Sequence, residues 1–276
     1  MKIFVLGSTG MLGRYVSTYL KSQNREVVNV TRNQIDAIYT NEYLLEGSLQ
    51  LLDMEKDDLV INCIGLIKQK KDIDDLDLIK VNTIFPRILA NLCEDYGVNL
   101  IHPSTDCVFS GIRGNYNEDD YQDAHDLYGK SKSLGDPPNA TVIRTSIIGE
   151  ELKGKFSFMA WIKSNENKTV NGYRNWIWNG ITCLEFARIC DDFIESNRYW
   201  KGVRHVFTDT PIAKDDLVLI ISDIYKLNVT VNSIDAPESC DRSLTTIRTD
   251  VRINIPDYRT QIMDLYEYQT ILRDEK

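Results

Sequence analysis

Gly7-Ser-Thr-Gly-Met-Leu-Gly13 decides how the chain reads. Lys2 to Leu6, which ends directly before it and is apolar after Lys2, reads as a buried strand. After it, Met11, Leu12, Tyr15, Val16, Tyr19 and Leu20 recur at the 3.6-residue period of an amphipathic helix. Between a strand and a helix, glycine permits the tight turn, lets a pyrophosphate approach the backbone and leaves the first helical amides free for an anion. The spacing is G-x-x-G-x-x-G. Gly7, Gly10 and Gly13, with Thr9, Met11 and Leu12, therefore form a candidate dinucleotide cradle.

Residues 27–30, 59–64, 98–102 and 141–147 read as further strands. Between them, residues 76–96 have a helical pattern that Pro86 is expected to kink or split. This alternation predicts an α/β fold, a Rossmann-like doubly wound parallel sheet over residues 1–149. Beyond Gly149 the rhythm becomes mixed, with the aromatic stretch Tyr173-Arg-Asn-Trp-Ile-Trp-Asn-Gly180 and helical patterns at 184–194 and 214–225. Residues 150–276 are expected to form a smaller substrate-binding lobe, with a strand at 229–234 and with 203–207 rejoining the main sheet. The acidic run 72–77 reads as a solvated helix start.

The composition, 42% hydrophobic and 26% charged over 276 residues, is that of a globular protein and argues against a fibrous, disordered or membrane-spanning chain. With 32 Lys and Arg against 41 Asp and Glu, the net charge of −9 disfavours a general nucleic-acid binder. A local cationic patch for a small anion remains compatible with it. No apolar run approaches membrane-spanning length, about 18 residues, and the N-terminus lacks a signal-peptide core, so a cytoplasmic protein is expected. Six cysteines without a Cys-x-x-Cys pair, and three histidines away from ligand spacing, predict reduced thiols and no metal site.

Past the second strand stands Thr31-Arg32, where an NAD-selective site usually places a carboxylate for the ribose hydroxyls. A guanidinium suits a 2′-phosphate, which points to NADP(H). Further along, Ser104-Thr-Asp106 ends a strand, and Tyr128-Gly-Lys-Ser-Lys132 places a phenol and an ammonium on one helical face. Lys132 is expected to lower the phenol's pKa, Tyr128 to pass a proton to a carbonyl oxygen, and Thr105 to give that oxygen a second hydrogen bond.

The glycine turn, Ser104-Thr-Asp-Cys-Val-Phe-Ser-Gly111, Tyr128-Gly-Lys-Ser-Lys132 and Arg144-Thr-Ser146 together resemble the extended short-chain dehydrogenase/reductases, within them the dTDP-4-dehydrorhamnose reductase-like group. The resemblance covers nearly the whole chain. It implies NAD(P)H dependence, with Thr105, Tyr128 and Lys132 catalytic. It also implies cofactor contacts from Cys63, Ile64, Gly65, Ser104, Tyr128, Lys132, Thr145 and Ser146. Ile61-Asn-Cys-Ile-Gly-Leu-Ile-Lys-Gln69, Arg144-Thr-Ser-Ile-Ile-Gly149 and Asp241-Arg-Ser-Leu244 look closer to the branch that reduces UDP-2-acetamido-2,6-dideoxy-4-keto-hexoses toward UDP-N-acetyl-L-rhamnosamine. Cys63-Ile-Gly65, where the dTDP-sugar enzymes usually carry small alanines, and Cys107, where they often carry Tyr, weigh against dTDP-rhamnose synthesis, which stays as the alternative.

A dehydratase of this group would need a carboxylate pair after the Thr, and here Asp106 is followed by Cys107. A C4 epimerase would use the same Tyr and Lys. A non-catalytic NADP-binding regulatory subunit is the alternative of another class, and it would have no reason to keep Thr105, Tyr128 and Lys132 together. For the sugar nucleotide, Arg242 is the candidate for the diphosphate, Tyr173 and Arg174 for the nucleotide end, and Lys68 for the sugar beside the cofactor. Trp176 and Trp178 read equally as lobe core, and His102 as a satisfied core histidine. A homodimer is compatible with the sequence.

Overall fold

The structure, a computed structural model, describes residues 1–67, 74–151, 157–250 and 253–274. In chain order it runs β1 (Ile3–Leu6), α1 (Met11–Ser22), β2 (Val27–Val30), α2 (Glu42–Leu51), β3 (Leu59–Asn62), α3 (Asp75–Ile79), α4 (Phe85–Tyr96), β4 (Asn99–Thr105), α5 (Leu127–Gly135) and β5 (Thr141–Thr145). There follow β6 (Ile147–Ile148), α6 (Phe158–Ser164), β7 (Thr169–Tyr173), β8 (Trp176–Trp178), β9 (Ile181–Thr182), α7 (Cys183–Ser196) and β10 (Gly202–His205). The last elements are β11 (Ile212–Ala213), α8 (Lys214–Ile224), β12 (Thr230–Ile234), β13 (Cys240–Asp241) and α9 (Tyr258–Asp274).

Six strands pair in parallel in the order β10-β5-β4-β3-β1-β2, the expected doubly wound sheet. Alternate side chains of β1 leave by opposite faces, as a strand buried on both sides requires. Phe4 and Leu6 pack with Leu45, Leu49, Phe85 and Leu89 of α2 and α4. Ile3 and Val5 pack with Val16 and Leu20 of α1 and with Phe186 and Phe193 of α7. Each such side chain contributes roughly 1.5–3 kcal/mol of transfer free energy. Because α7 covers one face and β10 extends the edge beside β5, part of the second half belongs to the main sheet. Residues 203–207 were expected to do this, and the strand is Gly202–His205. The remainder forms the smaller lobe, where β8 lies between β11 and β13, and Met159, Ile162, Trp178, Leu217, Ile221 and Leu265 share a core.

Several boundaries differ from the sequence expectation. β4 continues to Thr105, which brings the Ser-Thr pair into the sheet. The run 141–147 is divided: β5 stops at Thr145, and Ile147 and Ile148 pair with β9, because the Ser146 carbonyl accepts from the Ile181 amide at 2.8 Å. α2 was not anticipated, since it buries only Leu45 and Leu49. Asp74 caps α3 through the Leu76 amide and is exposed, a solvated helix start as read, while Asp72 lies outside the described residues.

Pro86 acts on the turn before it. Proline has no N–H for the carbonyl four residues back and its ring crowds that carbonyl. Lys80–Ile84 accordingly widens into a π-helical turn, and α4 starts afresh at Phe85 with Pro86 in its first turn. The widened turn is used: a Cβ on Gly135 would lie 1.8 Å from the Asn82 carbonyl oxygen, so the end of α5 rests directly on this backbone.

Beneath the carboxyl ends of the strands runs a buried polar chain. Arg144 has no solvent access, and its Nη2 donates to Asp136 Oδ2 at 2.8 Å. The same oxygen accepts from Ser104 Oγ at 2.9 Å. Arg144 Nη1 lies 3.2 Å from His205 Nε2. Arginine only donates, so His205 carries its proton on Nδ1, which faces the carbonyls of Thr245 and Tyr116 at 2.9 and 3.1 Å. Burial, with Arg144 beside it, pushes His205 down to about 4, which keeps the ring neutral. This chain joins β4, β5, β10, the residue after α5 and the 242–246 segment. Arg144→Met leaves Asp136 as a buried carboxylate without its cation, and the variant should lose about 3–5 kcal/mol in urea unfolding. A loss below about 1 kcal/mol would mean that the pair does not hold these elements together.

Candidate active site

The crevice opens where the strand order reverses, between β1 and β3. Gly7 turns with φ +71°, in the left-handed region that favours glycine, and a Cβ there would press on the Cys63 carbonyl at 3.1 Å. Gly13 is held more tightly, with room for no side chain: its Cβ would fall 2.3 Å from the Gly7 oxygen. Gly10 begins α1 without a side-chain cap, and the first turn carries no acid. Thr9 and Gly10 are exposed, and Met11 and Leu12 partly so. The result is a helix N-terminus with free amides and an unopposed dipole, suited to a pyrophosphate.

Gly7 and Ser8 donate to the Val30 carbonyl, so Thr31 and Arg32 lie beside this turn. Arg32 is exposed, with Asp36 3.7 Å away. Cys63, Ile64 and Gly65 form the opposite lip. The Ile64 amide bonds Asn62 Oδ1, and Leu66 is held through its amide and carbonyl by the Asn82 side chain. Lys68 lies outside the described residues.

Thr105 and Tyr128 meet because α5 packs against a short 3₁₀ turn, Asp106–Val108. Gly129 makes this approach feasible, since a Cβ there would lie 2.3 Å from the Cys107 carbonyl and 2.5 Å from Ala124. Asp126 caps α5 through the Gly129 amide at 2.7 Å. Thr105 Oγ1 accepts the Cys107 amide at 3.1 Å and donates its own hydrogen to Asp106 Oδ1 at 3.2 Å. Burial pushes the Tyr128 phenol well above the usual tyrosine range, with Cys107 and Asp106 adding to the rise and a hydrogen bond with Thr105 opposing it.

Here the sequence expectation needs correction. Lys132 does not hold the phenol down. Its Nζ donates to the Pro103 carbonyl at 3.1 Å, and burial lowers its own pKa against the pull of Asp136. The phenol therefore stays protonated, the form a proton donor needs.

Other expected residues divide. Ser104 is buried with its hydroxyl committed to Asp136, so it supports the site from beneath. Thr145 is buried and Ser146 half-buried at the end of β5. His102 is buried and neutral and accepts from Asn62 at Nδ1, but its Nε2 has no hydrogen-bond partner, so it is only half satisfied. Arg174 is held bidentately by Asp235 on an exposed surface, the ordinary surface role. Tyr173 lies tilted against Trp176, with ring centroids 5.5 Å apart, while Trp178 is buried in the lobe core. Arg242 reaches across to the turn after Thr105, bonding the carbonyls of Phe109 and Ser110.

Sequence reasoning missed Asp106 and Lys214. Asp106 is buried, and burial raises its carboxyl pKa against Arg242 and Lys214. Lys214 begins α8 with its ammonium against the Phe158 and Trp178 rings. Asp106 stands in the Ser104-Thr-Asp106 run, which gives it no role of its own, and Lys214 carries no local motif. Only the fold of the lobe brings residue 214 to residue 106.

Fold and site together define a doubly wound α/β protein with a glycine turn at a helix N-terminus and a Thr, Tyr and Lys constellation at the end of β4 and on α5. Residues 1–177 match the family described as RmlD substrate binding domain, and the chain belongs to that family. The dTDP-4-keto-6-deoxy-D-glucose reductase of Streptomyces niveus is 29% identical over 151 residues, 51% of this chain and 51% of its own length. The chain spans about half the length of the first curated reductases it matches. The methionine adenosyltransferase 2 subunit beta of Danio rerio is 23% identical over 244 residues, covering 82% of this chain and 74% of its own. The fold matches the crystal structure of dTDP-4-dehydrorhamnose reductase from Bacillus anthracis in complex with NADP, with TM-score 0.81 and 16% identity over 96% of this chain and 98% of that one. Among the described residues, no helix is long and apolar enough to cross a membrane.

The state of the phenol can be read directly. In an ultraviolet titration of wild type against Tyr128→Phe, the missing phenolate should be one that appears only above the ordinary tyrosine range. A difference signal developing below that range would restore Lys132 as the group that lowers it.

Proposed function

We propose that the chain is an NADPH-dependent 4-ketoreductase of a nucleotide-linked 6-deoxy sugar. The observation that carries this reading is the Tyr128 phenol, kept protonated by burial and hydrogen-bonded to Thr105 at the end of β4. The cradle fits NADP(H). Gly13 excludes any side chain beneath the turn, α1 presents uncapped amides, and Arg32 stands exposed where a 2′-phosphate would lie.

When bound, the reduced nicotinamide supplies hydride to the ketone carbon. Tyr128 gives its phenolic proton to the ketone oxygen as negative charge develops there, and the Thr105 hydroxyl, turning from Asp106, donates a second hydrogen bond to the same oxygen. Lys132, one helical turn on, holds the Pro103 carbonyl of β4 through its ammonium and so keeps α5 beside the strand that carries Thr105. Cys63, Ile64 and Gly65 form the cofactor-facing lip opposite Gly7, and Thr145 and Ser146 close the end of β5.

For the sugar we propose UDP-2-acetamido-2,6-dideoxy-hexos-4-ulose, reduced to a UDP-N-acetyl-6-deoxy-L-amino sugar of the rhamnosamine type. The sequence around Cys63-Ile-Gly65 and Cys107 supports it. The name of the Streptomyces relative favours a second reading, a dTDP-linked 4-keto-6-deoxyhexose. The subunit from Danio rerio favours a third, a binding role without turnover. The retention of Thr105, Tyr128 and Lys132 in one crevice argues against that.

Three outcomes are expected. Tyr128→Phe should lower turnover by ~10² or more while NADPH affinity stays near wild type, since a proton donor is lost and the ring stays in place. Wild-type turnover in that variant would contradict the assignment. Arg32→Ala should lose most of a preference for NADPH over NADH, itself roughly tenfold to a hundredfold for a charge-assisted pair in a partly exposed site. Fluorescence titration with each reduced cofactor reads it, and a preference that survives the change would return Arg32 to the surface. NADPH oxidation followed with both keto-sugars side by side should be faster with the UDP-acetamido sugar, because polar groups built for an acetamide are left unpaired by its absence. Equal or better rates with the dTDP sugar would establish the second reading.

A further inference from the structure

Lys214 lies in the crevice, yet the chemistry of Thr105, Tyr128 and Lys132 makes no use of it. Its Nζ sits 4.7 Å from the Phe158 ring centroid and 4.8 Å from that of Trp178. No hydrogen bond or ion pair from a described residue meets its ammonium. Around it stand Asp106, Cys107, Cys240 and Arg242. Two cations thus face one carboxyl group, and burial pushes that carboxyl toward its neutral form.

A partly buried ammonium without an acceptor is costly, and two aromatic faces offset only part of that cost. Arg242, the sequence candidate for the diphosphate, is largely committed elsewhere. Its Nε donates to the Phe109 carbonyl at 2.8 Å, Nη2 to the Ser110 carbonyl at 3.4 Å and Nη1 to Cys107 Sγ at 3.8 Å. Those three contacts use three of the five guanidinium N–H groups. All three N–H groups of Lys214 are free of such partners. Asp106 directly follows Thr105, so a ligand reaching from Thr105 toward Lys214 runs from its reacting end to its charged end.

We propose that Lys214 is a direct ligand of the sugar nucleotide's diphosphate, held between Phe158 and Trp178, while Arg242 shapes the loop beside it and adds to the field. This rests on the nucleotide-sugar reading above. The sequence signal is slight, a Lys at the first position of an amphipathic helix. What sets it apart is that the lobe's aromatic core walls it in without supplying an acceptor.

The test uses sugar nucleotides that lack a 4-ketone, UDP-N-acetylglucosamine and dTDP-glucose, titrated by calorimetry into NADP⁺-loaded protein. Their diphosphate diesters hold constant charge near neutrality. Lys214→Met should weaken binding of whichever nucleotide the wild type takes by about ten- to a hundredfold, Lys214→Arg should retain most of it, and NADP⁺ affinity should be unchanged in both. Burial pushes Lys214 down to about 8, and the ammonium is present below that value. Wild-type affinity should therefore be level up to about pH 8 and fall above it. The step should survive Cys107→Ser and vanish in Lys214→Met. Of the other groups facing it, Arg242 stays charged, burial raises the Asp106 carboxyl, and burial raises the Cys240 thiol. Unchanged nucleotide affinity in Lys214→Met, or a step that persists there, would overturn the proposal. Should that variant fail to fold, a wild-type affinity level through about pH 9 would overturn it equally. A wild type that binds neither nucleotide would instead overturn the nucleotide-sugar reading on which this depends.

Discussion

A guanidinium sealed from water cannot be left unpaired, and the pairing of Arg144 with Asp136 is the constraint from which the site's geometry follows. Asp136 is the first residue past α5, Arg144 lies in β5, and Ser104 at the end of β4 shares the same carboxylate oxygen. One oxygen thus fixes where the helix carrying Tyr128 and Lys132 ends relative to the strand carrying Thr105. An apolar replacement of the whole pair could be as stable, since ion pairs in low dielectric gain little net free energy. What the pair supplies is a directional requirement that an apolar contact lacks. Through His205 the requirement extends to Tyr116 and Thr245, and so to the segment carrying Arg242.

Against that anchor, close backbone approach sets the remaining distances. α5 rests at Gly129 on the Cys107 carbonyl and at Gly135 on the Asn82 carbonyl, positions where any side chain would collide. The π-helical turn before Pro86 supplies the second surface. Its Asn82 side chain reaches Leu66 on the lip after β3 and Ser131 in the middle of α5. The lip opposite the glycine turn and the helix bearing the phenol are therefore positioned by one side chain. The fold places Tyr128 in a dry, protonated state without using Lys132 to tune it.

Much of this was legible in the sequence, for physical reasons. The glycine turn and the first helix depend on local periodicity and backbone space, and both are local properties. The parallel sheet follows from apolar runs covered on both faces. Tyr128 and Lys132 share a helical face by spacing alone. The division of the 141–147 run, α2 and the π-helical turn were not legible in detail, because tertiary pairing decides them: Ser146 with Ile181, two buried leucines, and a helix lying on Asn82. The electrostatics were least legible. Spacing suggested that an ammonium would lower the phenol's pKa, but a carbonyl at Pro103 takes the ammonium and burial takes the phenol the other way. Arg174 carries the expected charge, and Asp235 holds it on an exposed surface. Lys214 had no motif at all, and only the folding of the second lobe gives it its neighbours.

The proposed function has hydride reaching the C4 carbon of a nucleotide-linked keto-sugar in this crevice while Tyr128 protonates the oxygen. The most direct measurement is isotopic. The protein is incubated with NADPH carrying deuterium at the nicotinamide C4 and with keto-sugar from a 4,6-dehydratase, and the product is examined by NMR. The account predicts a single deuterium on C4 of the sugar ring, with oxygen-bound protons drawn from solvent. NADPH consumed without deuterium entering the sugar, or no consumption with either the UDP-acetamido or the dTDP sugar, would contradict it.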